Sequence, residues 1–104
     1  MAIELRSLAR YTFPSLSGGP QSQMQTVSFP TPVRSAVAAI NGFRIGFTTS
    51  DHELFREEVD ASATIAPNRL SVDVSVNFAL RDKSGVFDDP YEGFVDVALI
   101  VNRD

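Results

Sequence analysis

Apolar and polar residues alternate with period two through much of the second half of the chain. Leu70, Val72, Val74, Val76, Phe78 and Leu80 are separated by Ser71, Asp73, Ser75, Asn77 and Ala79. Strict alternation places one set against a core and the other against water, whereas a helix would scatter the six around its axis. Four of the six are β-branched or aromatic, which favours a pleated strand. The spacing predicts a strand whose six apolar residues share one core.

Val59, Ala61, Ala63 and Ile65 repeat the pattern just upstream, and Ala66-Pro67-Asn68 separates the two runs. Proline cannot donate to a ladder, and asparagine tolerates the left-handed conformation, so the pair reads as a β-hairpin from Glu58 to Leu80. Phe43, Ile45 and Phe47 alternate after Asn41-Gly42, a pair suited to a type I′ turn. Val33 to Ile40 would supply the partner strand, although its alanines also allow a short helix. Gly93 to Val101 reads as a central strand covered on both faces. Val27 and Phe29, ahead of Pro30 and Pro32, suggest a short strand, and Ile3 and Leu5 an edge strand. Ser15 to Gln25 has no periodicity and contains Gly18-Gly19-Pro20, so a flexible loop is expected there. This divides the single domain into an N-terminal arm and loop (1–26) and a sandwich body (27–104). Six or seven short strands at hairpin spacing predict an all-β fold, an antiparallel β-sandwich.

Composition narrows the function more than the fold. The 104 residues suit one domain, and 43% hydrophobic with 21% charged content is that of a globular protein. A net charge of −4 argues against wide contact with a phosphate backbone, so no nucleic-acid partner is expected. No apolar stretch approaches the roughly 18–20 residues of a membrane span, and no membrane contact is expected. Met1 to Arg6 lacks a basic segment followed by an apolar run, so no secretion signal is expected. Without cysteine there is no disulfide framework and no clue to compartment.

Two places have residues that carry chemistry. His52 is the only histidine and stands beside Ser50, Asp51 and Glu53. A Ser/His/acid hydrolase would need it as base, but adjacency in sequence does not build a triad, and a loop histidine accounts for it equally well. No enzymatic activity is therefore expected, and Cys/His and three-histidine zinc sites are excluded by composition. The second place is Arg81 to Tyr91, which contains Asp82, Asp88 and Asp89. These carboxylates suit calcium, which takes six to eight oxygen ligands, though the spacing is not that of an EF-hand. Asp88-Asp89-Pro90 also fits an ordinary turn closed by Asx side chains. No cofactor is expected, calcium being the one ion this loop is suited to hold. Tyr91 and Phe87 beside Arg81, Asp82, Asp88 and Asp89 combine a ring with planar polar groups, as sugar sites do. Asp51 and His52 would join them if the two strand ends coincide. Eight of the nine basic residues are arginine, and Arg44, Arg56, Arg69 and Arg81, interleaved with acids, suggest ion pairs across strands or subunits.

From about Val27 onward the order of features resembles the H-type lectin domain. The matching stretches are Val27-Ser28-Phe29 with Pro30 and Pro32, Val59 to Leu80, and Phe94 to Val101. The resemblance implies a six-stranded antiparallel sandwich, homotrimeric assembly and binding of galactose-type sugars between protomers. That family's final strand usually carries a tryptophan, where this chain has Ala98-Leu99-Ile100-Val101. The functional expectation is a non-enzymatic, lectin-like carbohydrate-recognition module acting as a homo-oligomer, with a trimer favoured. Its competitor is a structural, self-assembling sandwich subunit of a phage tail or virion, without a sugar site.

Overall fold

The computed structural model describes residues 2–16, 21–47, 54–82 and 91–104, with the backbone alone at 15, 16, 47, 54–57, 80–82 and 91. Seven strands are present: β1 (Ala2–Ser7), β2 (Tyr11–Leu16), β3 (Gln21–Ser28), β4 (Val33–Phe47), β5 (Leu54–Ile65), β6 (Ser71–Asp82) and β7 (Tyr91–Arg103). They form two antiparallel sheets. In the first, β7 is central; β4 runs along one side of it, and β1 and β2 follow each other along the other. In the second, β6 lies between β3 and β5. The protein is an all-β sandwich, with the core between the sheets.

The inward residues of the two central strands make that core. Val72, Val74, Val76 and Phe78 on β6 face Val95, Val97, Leu99 and Val101 on β7, all buried. Tyr11 and Phe13 add the aromatic part from β2. The Phe13 and Phe78 rings stack across the sheets with centroids 4.4 Å apart and planes 6° from parallel. The buried Tyr11 hydroxyl donates to the Val74 carbonyl at 2.7 Å, tying the first sheet to the centre of the second. Burial pushes the Tyr11 phenol up, so this donor keeps its proton.

The β5–β6 hairpin has the predicted pairing, with Ile65 opposite Val72 and Glu58 opposite Ala79. Leu70, expected in the core, instead lies exposed in the turn one residue before β6. The Leu80 side chain lies outside the described residues. The turn closes through Arg69 N–H to the Ala66 carbonyl (2.8 Å), while Asn68 Oδ1 accepts from Leu70 N–H (3.0 Å). The left-handed residue is Arg69, at φ 62°, rather than Asn68. Hairpin loops of four or five residues are commonly built around a tight turn, here followed by a left-handed residue.

Other expectations change for identifiable reasons. Asn41-Gly42 makes no turn: Val33 to Phe47 is one strand, with a register shift between Ile40 and Gly42. Neither residue has the positive φ that a type I′ turn needs, because β7 offers a partner along the whole length and the extra residue is absorbed as a bulge. The alanine-rich half of β4 is strand, since Ala36 and Ala38 pack against the core. β7 is central in its sheet but not covered on both faces, for Ile100 is exposed on the outer side. Among the described residues the arginine ion pairs are made by Arg6, Arg10, Arg34 and Arg103, while the side chains of Arg56 and Arg81 lie outside the described residues. Arg69 instead donates to the Val33 and Arg34 carbonyls, and Arg44 makes no ion pair to another described residue.

The largest difference lies at the N-terminal third. Residues 2–28 supply three strands and two core aromatics, and β3 begins at Gln21, inside the stretch from Ser15 to Gln25 expected as a flexible loop. Gln21, Gln23 and Gln25 share one side of β3, and their amide groups donate to the Pro14 and Thr12 carbonyls of β2 and the Ala9 carbonyl of the β1–β2 connection. A glutamine ladder thus seals one open side of the sandwich without apolar residues. Replacing all three by alanine should lower stability by about 1–2 kcal/mol in total, because each exposed bond contributes a fraction of the usual ~1 kcal/mol. Thermal unfolding followed by circular dichroism measures this, and an unchanged Tm would show the ladder to be energetically silent.

Candidate functional site

Strand ends collect at one end of the molecule, which is 51 Å long. Tyr91 at the start of β7 is in register with Leu16 at the end of β2 and Phe47 at the end of β4. Asp82 at the end of β6 is in register with Leu54 at the start of β5, and Arg56 pairs with Arg81. The connections 17–20, 48–53 and 83–90 therefore all join strand ends at this same end, each passing from one sheet to the other. The backbone of Arg81 and Asp82 lies in the second sheet and that of Tyr91 in the first. Asp51, His52, Asp88 and Asp89 lie outside the described residues. Among the described residues, no three acidic or imidazole groups are placed to hold a metal ion.

Next to Tyr91, the outer face of the first sheet carries a depression of about 370 Å³. Its lining includes Arg10, Thr12, Arg44, Gly46, Glu92 and Phe94. The register explains why these meet. Thr12, Phe94 and Arg44 form one row across β2, β7 and β4, and Glu92 and Gly46 stand in the next row toward the strand ends. The inward neighbours Val95 and Val97 fix the parity of β7, so Glu92, Phe94 and Asp96 must face outward.

Arg10 organises this surface. Its guanidinium carbon sits 3.7 Å from the centre of the Phe94 ring, a cation–π contact. Its Nε and Nη2 donate to the two carboxylate oxygens of Asp96 at 2.9 and 3.0 Å. This bidentate pair holds the Asp96 carboxyl below the usual carboxylate range and raises Arg10. Both groups are partly exposed, so water screens the pair and its value is orientation more than stability. Gly46 leaves the floor open: a Cβ added there would meet nothing within 4 Å. The result is an aromatic ring held beside a fixed guanidinium, with a second guanidinium, a carboxylate and a hydroxyl within the same hollow. Such planar donors and acceptors around a ring suit a polyhydroxylated ligand.

Sequence reasoning missed Arg10, Thr12, Glu92, Phe94 and Asp96 as site residues. The signal was the alternation Glu92, Phe94, Asp96 against Gly93, Val95, Val97, which is lost when 93–101 is treated as one apolar run. No protein-family model, curated protein or solved structure matches the chain.

Proposed function

We propose that the protein is a non-enzymatic, lectin-like carbohydrate-recognition module that works as a homo-oligomer and holds a glycan in the depression beside Tyr91. The observation that carries this reading is the grouping of Phe94 with Arg10, Arg44, Glu92 and Thr12 in one hollow on a rigid sheet. A site built mainly on strands, with Arg10 of the β1–β2 connection held by Asp96, keeps its polar groups fixed, which lowers the ordering cost of binding. The pattern-level resemblance to the H-type lectin domain supports the same reading and favours a trimer. Arg81, Asp82, Asp88, Asp89, Asp51 and His52 are then further contacts, contributed from the connections at this end, with calcium as the ion the carboxylates would take.

A glycan array followed by titration of any hit tests the reading. Phe94→Ala should weaken binding by about tenfold or more, the loss expected for roughly 1.4 kcal/mol of ring contact. Gly46→Leu should abolish binding by filling the hollow while leaving the fold intact, since its side chain enters open space. Array hits whose affinity neither substitution alters would move the site elsewhere.

A second reading, a structural self-assembling subunit of a phage tail or virion, is favoured by another observation. Leu5, Ile100 and Val37 form an exposed apolar row across the outer face of the first sheet. A blank array with a well-folded oligomer would favour this account.

A further inference from the structure

The two sides of the sandwich are finished differently. On the β1/β2/β3 side, the glutamine ladder and a charged cluster close the gap between sheets. Arg103 pairs with Glu4 at 2.9 Å and donates to Thr31 at 2.8 Å, and Arg6 lies 4.5 Å over the Phe29 ring. The β4/β5 side has no such rim among the described residues. There β4 is hydrogen-bonded only to β7, and β5 only to β6, leaving strands of 15 and 12 residues with open edges side by side.

Long open edges are usually blunted by proline, charged side chains or bulges; neither strand contains proline or lysine, and the register shifts at Ile40/Gly42 and Leu54/Arg56 interrupt them only locally. Apolar side chains stand at this edge instead. Ile40 and Phe43 are in register with the buried Val97 and Val95, so they point toward the core side, yet they are 39% and 47% exposed. Val37, on the outer side of the same strand, is 59% exposed. The charges are complementary. β4 carries Arg44 and no acid, its other arginine, Arg34, being paired with Asp104, whereas β5 carries Glu57, Glu58 and Asp60 against one arginine, Arg56.

We infer that this side docks a second copy of the chain, with β4 of one copy laid along β5 of the next. Within one copy β4 ends, and β5 begins, at the same end of the molecule, so the two run antiparallel. Rotation about an axis parallel to the strands preserves that relation, so β4 of one copy meets β5 of its neighbour antiparallel. The basic strand then faces the acidic one, and Ile40 and Phe43 are covered. Each copy offers both halves of the contact on the same side of the sandwich, so copies related by rotation about that axis can satisfy both halves and close rather than extend into a fibre. This inference rests on the homo-oligomer reading and names its surface.

Light scattering and sedimentation of the full chain test it. Wild type should sediment as an oligomer, and Ile40→Lys combined with Phe43→Glu should yield a folded monomer, with dissociation at least about a hundredfold easier. Leu5→Lys, on the far side of the same sheet, should leave the oligomer intact. A monomeric wild type at micromolar concentration overturns both the oligomer reading and this contact. An oligomer that survives the β4 changes, or that Leu5→Lys dissociates, overturns the contact alone. Because the chain has no cysteine, co-expressed Ala39→Cys and Ser62→Cys chains provide a check that does not depend on the β4 variant folding. Cross-linking by a short bismaleimide between the two variants supports the contact; links only between like chains, or none, overturn it.

Discussion

Val74→Asp is expected to unfold the protein at room temperature, or to lower its Tm by roughly 20 °C or more. Val74 is fully buried at the middle of β6, the central strand of its sheet, between Gln25 on β3 and Ala63 on β5. A carboxylate there would have no ion partner, since the neighbouring inward side chains are Val72, Val76, Gln25 and Ala63, with the sheet opposite. An unpaired buried charge costs about 4 kcal/mol or more, a large part of the 5–15 kcal/mol that holds a domain together. At about 4–8 °C per kcal/mol for a chain of this size, the Tm shift follows. Ser22→Asp, which puts the same group on the exposed face of β3, should change stability by no more than about 0.5 kcal/mol. Equal melting of the two variants would mean that β6 presents its other face to the core.

Gly93→Ala is expected to cost about 3 kcal/mol or more, although it adds one methyl group. An alanine Cβ at this position would lie 1.9 Å from the Arg44 carbonyl oxygen and 2.7 Å from Cζ of Phe78. The first clash is with backbone, which cannot swing aside, and the second is with a ring already stacked on Phe13. Relief requires β4 to move off β7 or the stacked pair to separate. Gly42→Ala and Gly46→Ala are the matched comparison, because a Cβ at either meets nothing within 4 Å. Those two should be neutral or stabilising by up to about 1 kcal/mol, through a less flexible unfolded chain. Urea midpoints measured on the three variants decide this, and similar midpoints would show that β4 and β7 adjust freely at this point.

Where burial alone set the pattern, the sequence was legible. The runs ending at Ile65 and starting at Val72 have one apolar face, so their pairing and the sandwich class follow from alternation. Most of β3 was illegible for the opposite reason: three of its four inward positions are glutamines, which satisfy backbone carbonyls rather than fill a core, and only Val27 packs against the buried residues. Asn41-Gly42 misled because local turn preference competes with thirteen residue pairs that β4 makes with β7. The hollow around Phe94 was hidden because it draws on β2, β4 and β7, which are far apart in sequence. Which outward residues share a row depends on register, and a bulge in β4 shifts that register by one residue. Arg44 sits beside Phe94 only because of that shift.

The place of β7 also determines when the fold can be completed. Among the described residues, β1, β2 and β4 have no hydrogen-bonded strand partner but β7, the last of the seven strands in sequence. Pairing Ala2 with Arg103 closes a loop of nearly the whole chain, and such long-range pairing is slow. During synthesis the second sheet has all three of its strands once Asp82 has emerged, with hydrophobic Val72, Val74, Val76 and Phe78 waiting for a cover. The first sheet gains its centre only when the segment from Tyr91 to Arg103 arrives. A ribosome-bound chain stopped before Tyr91 would expose one half of the core, and a chaperone that binds apolar strands would meet it there.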